Sequence, residues 1–133
     1  MRKLFLTFVA SLLCSIVSFA QITPTQPQGS GTQQSPYFIS TASEFLWIIN
    51  DNDAYYKQTA DINLGDLGQK SAAIISSFSG TYDGNGHTIT YQAQFSASSQ
   101  NIGLFGSVSK TIKNLTLNAS VTISDGGTNW VNV

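Results

Sequence analysis

Cysteine is nearly absent. The 133-residue chain has one, Cys14, which excludes a disulfide framework and a cysteine-rich zinc site. Charge is scarce as well: only 10% of residues are Asp, Glu, Lys or Arg, against roughly 25% in ordinary soluble domains. With six basic residues and a formal net charge of −1, the chain cannot offer a Lys/Arg surface to nucleic acid or to an anionic membrane. Histidine occurs once, at His87, so no histidine-based metal cluster can form. The length suits a single domain with little room for a second. What is plentiful is Ser, Thr, Asn, Gln and Gly. Such a neutral, hydroxyl- and amide-rich composition points to extended structure outside the cytosol.

Residues 1–20 read as a secretory signal peptide. Arg2 and Lys3 form a basic start, Leu4–Val17 an apolar stretch, and Ser18-Phe19-Ala20 a small-x-small site with cleavage expected before Gln21. The apolar run is shorter than the ~20 residues of a spanning helix and no stop-transfer charges follow it. No integral membrane segment is therefore expected after cleavage. A competing reading lipidates Cys14 within Ser11-Leu12-Leu13-Cys14, but Leu13 fills a position that calls for a small residue. Cleavage removes Arg2, Lys3 and Cys14, leaving four basic residues against seven acidic ones and no cysteine. Such an exported domain, extracellular or at the cell surface, with outer-membrane association or the periplasm as alternatives, is expected to be held by burial and backbone hydrogen bonds alone.

The Pro/Gln/Gly/Ser/Thr stretch 21–35 has no apolar periodicity and reads as a flexible leader. From Pro36 onward the chain acquires pattern. Tyr37-Phe38-Ile39-Ser40 is a strand candidate, and Thr41-Ala42-Ser43-Glu44 has the form of a capping box. Phe45, Leu46, Ile48 and Ile49 then make one helical apolar face, with Trp47 on its flank. Thereafter strands are expected at 55–64 (broken near Asp61), 73–76, 78–82, 87–93, 102–105, 112–117 and 119–124. Asp83-Gly84-Asn85-Gly86 between two of them is a strong turn signal, with positive φ expected at Gly84 and Gly86. The Ile62-x-Leu64 pair precedes Ile89-x-Tyr91 by 27 residues, and Leu115-x-Leu117 follows it by 26. A period in the 20s with short strands suggests an all-β solenoid whose first coil is covered by the helix.

Several segments resemble bacterial cell-surface proteins built from GLUG-motif repeats. They are the opening Gly29-Ser30-Gly31-Thr32 with Pro36–Ala42, then Tyr56–Leu64, then Phe78–Ile89 with Gly80, Asp83, Gly84, Asn85, Gly86 and His87. Gly103-Leu104-Phe105-Gly106 is similar to the motif that names the family, and Ile112–Leu115 to the strand after it. The resemblance covers 29–123 and implies a right-handed parallel β-helix in an exported, adhesin-like protein. Family members continue through several such repeats. Here one motif precedes Trp130–Val133, which reads as another strand, so 36–133 is expected to be a β-helix part that is incomplete at its C-terminal end. An open last coil would be a template for strand pairing.

The remaining motifs favour structure over chemistry. Leu104 and Phe105 are adjacent and cannot both face inward on a regular strand, so the flanking glycines are expected to bend it and bury one. Asp83-x-Asn85 begins like a calcium loop, yet no bidentate Glu follows. His87 as a base would need a carboxylate, with Asp83 nearest in sequence. No cofactor is expected. β-Helices also host polysaccharide-cleaving enzymes, but those need convergent carboxylates, and Asp61, Asp66, Asp83 and Asp125 are scattered along the chain. Exposed aromatics among Trp47, Tyr55, Tyr56, Tyr82, Tyr91 and Trp130 could stack on sugars, although core packing explains most of them. The expected function is a non-enzymatic, structural or adhesive surface protein, with a glycan or a host surface protein as partner. The alternatives are an N-terminal remnant of a carbohydrate-active β-helix enzyme and a truncated fragment without independent function.

Overall fold

The computed structural model describes residues 21–124; the signal segment and the strand expected at Trp130–Val133 lie outside them. The order of elements is β1 (Tyr37–Ile39), α1 (Ala42–Leu46), a 3-10 turn (Trp47–Ile49), β2 (Tyr55–Gln58), β3 (Ile62–Ala72), β4 (Ile75–Phe78) and β5 (Thr81–Asp83). Then follow β6 (Thr88–Gln100), β7 (Phe105–Val108), β8 (Thr111–Lys113) and β9 (Thr116–Ser124). The described residues are all-β with one short helix.

The strands form three sheets, ordered β1-β2-β5-β8, β3-β6-β9 and β4-β7. Each pairing between strands is parallel. Parallel neighbours need a crossover, and here the crossover is the rest of a coil. From β2 to β5 and from β5 to β8 the chain leaves the first sheet, visits the other two and returns, while between β1 and β2 the helix and the 3-10 turn take their place. Like residues thereby stack. Tyr37, Tyr56, Tyr82 and Ile112 are register partners in the first sheet, with ring centroids 5.5 Å apart for Tyr37–Tyr56 and 6.4 Å for Tyr56–Tyr82. Ile62, Ile89 and Leu117 stack in the second sheet, and Ile75 lies under Phe105 in the third.

The core is an aliphatic and aromatic column enclosed by these sheets, with Ile39, Phe45, Ile48, Phe78, Tyr82, Ile89 and Phe95 wholly buried. Gln58 lies among them without any exposed surface. Its Nε2 donates to the carbonyls of Ala60 (2.8 Å) and Thr88 (3.1 Å), and its Oε1 accepts from the Tyr82 hydroxyl at 3.0 Å. Both N–H groups and the carbonyl oxygen thus have partners, as burial of an amide requires.

In the first coil, α1 packs on β3 and the 3-10 turn on β4, so helical structure closes the end that would otherwise expose core. Phe45 enters the column edge-on to Tyr82 and Phe105, with centroids 5.9 and 6.0 Å away. The helix is shorter than its sequence pattern suggests. It gives way to the 3-10 turn at Trp47, which rotates Ile49 out to 57% exposure while Phe45, Leu46 and Ile48 stay buried.

Three further expectations are corrected. The leader is laid along the first coil: Pro27 is buried, Thr25 N–H donates to Ser43 O (3.0 Å), and Phe38 N–H donates to Gln28 O (2.8 Å). Leu115 does not repeat Ile89; the partner is Leu117, because Asn114, at φ 54, ends β8 and restarts the register. Finally, Gly80 divides the strand expected at 78–82, and β3 and β6 run well past their apolar residues; the break expected near Asp61 is present, between β2 and β3.

Candidate functional site

Two regions gather the polar side chains of the fold: the corner between the first and second sheets, and the outer face of the second sheet. The corner is built on the turn from β5 into β6. Asn85 and Gly86 take φ of 51° and 79°, and His87 N–H donates to Gly84 O at 2.8 Å. Two consecutive left-handed residues make a type I′ turn. Positive φ thus falls on Asn85 and Gly86, and Gly84 serves another purpose. A Cβ there would lie 2.6 Å from Asn114 O and 2.7 Å from Leu115 Cα, so only glycine lets the next coil come this close.

Asp83 organises the turn and ties it forward. Its Oδ1 accepts from Asn85 N–H (2.9 Å) and Asn114 Nδ2 (3.0 Å), and its Oδ2 lies 3.7 Å from Lys113 Nζ. The Asn114 hydrogen bond, with Asn85 and the nearby lysines, holds this carboxyl below its ordinary range against the opposing effect of burial. His87 turns the other way. Its Nδ1 is 3.3 Å from Oδ1 of Asp61 on the previous coil, and not beside Asp83. The same oxygen accepts from Thr88 N–H at 2.9 Å, the main reason the Asp61 carboxyl titrates below its usual value. The corner therefore links each coil to the next through side chains. It brings together Asp61, Asp83, Asn85, His87 and Asn114, and leaves Asp66 elsewhere.

The remaining motif residues approach backbone or core. Leu104 is 2% exposed, while Phe105, half-buried at the start of β7, packs on Phe78 and Tyr82 with centroids 5.5 and 6.0 Å away. Gly103 at φ 131° makes the bend before them. Cβ atoms on Gly80 and Gly106 would strike carbonyls of the coil beneath, Ala54 O at 2.1 Å and Ser76 O at 2.6 Å. In the cap, Thr41 Oγ1 accepts from Glu44 N–H (3.2 Å), and Glu44 Oε2 accepts from the backbone N–H of Ser40 (2.8 Å) and Thr41 (3.1 Å). Partial burial acts against it, but these bonds and the Ser40 hydroxyl keep the Glu44 carboxyl below its ordinary range. The described residues hold no group of three or more His, Cys, Asp or Glu that could bind a metal.

The outer face of the second sheet was not singled out from sequence. Its register aligns Asn63 with Thr90 and Asn118, Asp66 with Gln92 and Ser120, and Gln94 with Gln69 and Thr122. β3 reaches this register through two bulges, at Asn63-Leu64-Gly65 and Asp66-Leu67-Gly68. In each triplet the Asx oxygen accepts from the glycine N–H, at 2.8 and 2.9 Å, and the glycine sits at φ 68° or 67°. The bulge hollows a notch of about 310 Å³ among the first two columns. The tandem triplet is visible in the sequence, and so is the alternation of β6; the pairing that makes columns of them is not. No exposed aromatic ring is found there among the described residues: Tyr91, which borders the notch, is buried, and Tyr37, Tyr56 and Tyr82 are buried in the first sheet.

Among the described residues no helix is long and apolar enough to cross a membrane. The chain is similar to "Halomucin" of Haloquadratum walsbyi, with 36% identity over 110 residues, covering 70% of this chain and 1% of the relative. It thus spans about 1% of the length of the curated relative it matches. No family model matches the sequence, and no solved structure matches it.

Proposed function

We propose that this chain is an exported, non-enzymatic surface module, a right-handed parallel β-helix of the GLUG-repeat kind with structural or adhesive work. What carries the reading is the in-register stack: Ile62, Ile89 and Leu117 recur on successive coils, so coils can be added without a change of plan. Right-handedness is the ordinary sense of a parallel crossover. Similarity to one short part of a far longer protein, a mucin by name, suits a unit that is one of many. The polar groups that converge do so as ties between coils, with Asp61 and Asp83 committed to backbone and amide hydrogen bonds, and this favours scaffold over catalyst. Among the described residues nothing stacks on β9, whose Leu117 and Val121 are 47% and 39% exposed. That edge is the place for a further strand, from the same polypeptide or another.

The test is location. The full chain, expressed in a bacterium, should be recovered outside the cytoplasm with a mass that begins at Gln21, and should be digested by protease added to intact cells. Recovery from the cytoplasm alone, still beginning at Met1, would overturn the reading.

A further inference from the structure

The two polar regions of the fold differ in how they use their hydrogen-bonding groups. At the corner, Asp61, Asp83, His87 and Asn114 bond across coils. On the outer face of the second sheet, Asn63–Thr90–Asn118 and Asp66–Gln92–Ser120 make no side-chain hydrogen bonds to one another, although they are direct register partners. Asn63 and Asp66 each commit one oxygen to a bulge and keep their other polar atom. Neighbouring strands are about 4.8 Å apart, so the columns form a grid of amides and hydroxyls turned to solvent. A notch of about 310 Å³ opens within it, and a Cβ on Gly65 would meet nothing within 4 Å. There is room above the grid for a bound group.

We infer that this face binds neutral polysaccharide, one sugar hydroxyl pair settling in the notch and the chain continuing along the grid. This rests on the reading of the protein as surface material and names its ligand class. The chemistry selects the occupant by exclusion and by match. A polyanion needs Lys or Arg, and these two columns hold none; their one charged member is the carboxylate of Asp66. A protein partner wants an apolar, aromatic centre, whereas the exposed large apolar residues (Phe38, Ile49, Ile102, Val108, Leu117 and Val121) lie outside these columns. Asn and Gln side chains each present a donor and an acceptor together, and Thr and Ser hydroxyls do both. That pattern complements vicinal hydroxyls, with the Asp66 carboxylate as one further acceptor.

The test applies the purified protein to an array of immobilised glycans: neutral gluco-, xylo-, manno- and chito-oligosaccharides beside uronic-acid and sulfated ones. Binding is expected to neutral chains and to lengthen its residence with oligosaccharide length. The double variant Thr90→Ala/Gln92→Ala should bind at least tenfold more weakly with an unchanged thermal melt. Ser77→Ala/Ser107→Ala, changing a register pair on the third sheet, should bind like the parent. The inference is overturned by binding to no neutral glycan, by binding confined to acidic glycans, or by full binding of Thr90→Ala/Gln92→Ala. None of these results moves the protein between cell fractions, so failure here and failure of the surface assignment are read separately.

Discussion

Glycine at position 84 and glycine at position 86 stand two residues apart in one turn and answer to different constraints. A Cβ at Gly84 would collide with backbone of the next coil at 2.6–2.7 Å, whereas Gly86 has a φ of 79° and open space around it. Backbone cannot move aside as a flexible side chain can. Gly84→Ala is therefore expected to cost about 3 kcal/mol, and Gly86→Ala, which suffers only the left-handed backbone, about 1 kcal/mol. Urea unfolding of the two variants checks the order; equal costs, or the reverse, would contradict the packing described for the corner. The turn itself was legible from the Asp-Gly-Asn-Gly string. Which glycine is needed for φ and which for proximity was not, because that depends on Asn114 and Leu115, about 30 residues away in sequence and in contact only across coils. The same holds for His87. Asp83 is near in sequence, but Asp61 on the coil below is near in space. Gln58 was passed over for a similar reason: an amide in a strand reads as surface until its alternation with buried Tyr56 is combined with the Tyr82 hydroxyl above it.

At the scale of elements, the N-terminal helix shows what local signals can and cannot decide. The Thr41–Glu44 pairing is encoded within four residues and forms as written. The far end of the helix is decided by packing on β3 and β4, which tightens it into a 3-10 turn and turns Ile49 outward. Glu44→Gln keeps an amide oxygen for the capping box but loses the charge, and should weaken the cap by about 0.5 kcal/mol. It should also change the acid limb of the stability curve. A carboxyl held below its unfolded pKa stabilises the fold above the ordinary carboxylate range, about 4, and that stability is lost as pH falls through the lower folded value. Glu44, Asp61 and Asp83 all have this sign. The melting temperature is thus expected to fall between about pH 5 and pH 2, less steeply for Glu44→Gln than for the parent. Thermal melts across that range measure it, and parallel curves for the two proteins would contradict the assignment. Strand placement was legible where apolar residues alternate. It was not at β3, whose tandem Asx-Leu-Gly bulges carry the strand on through polar sequence.

For the whole molecule, the sequence discloses a period but not its phase. Repeating apolar pairs indicated coils of under 30 residues, yet Leu115 was a plausible partner for Ile89 until the backbone placed Leu117 there. The scarcity of charge has a related cause, since stacked strands bring like positions side by side and a charged residue repeated on each coil would repel itself. Amides and hydroxyls stack without that cost, which suits the face proposed to bind polysaccharide.

Both that face and the edge of β9 that no described strand covers depend on the coils stacking in one register. The most direct test uses the near absence of cysteine. In a Cys14→Ser background, Thr90→Cys with Asn118→Cys places thiols on register partners of β6 and β9, within the reach of a disulfide. Thr90→Cys with Thr122→Cys is four residues off, roughly 13 Å along the strand. Mild oxidation followed by mass spectrometry should give an intramolecular disulfide in the first pair and free thiols in the second. Free thiols in the first, or equal bridging in both, would contradict the stack.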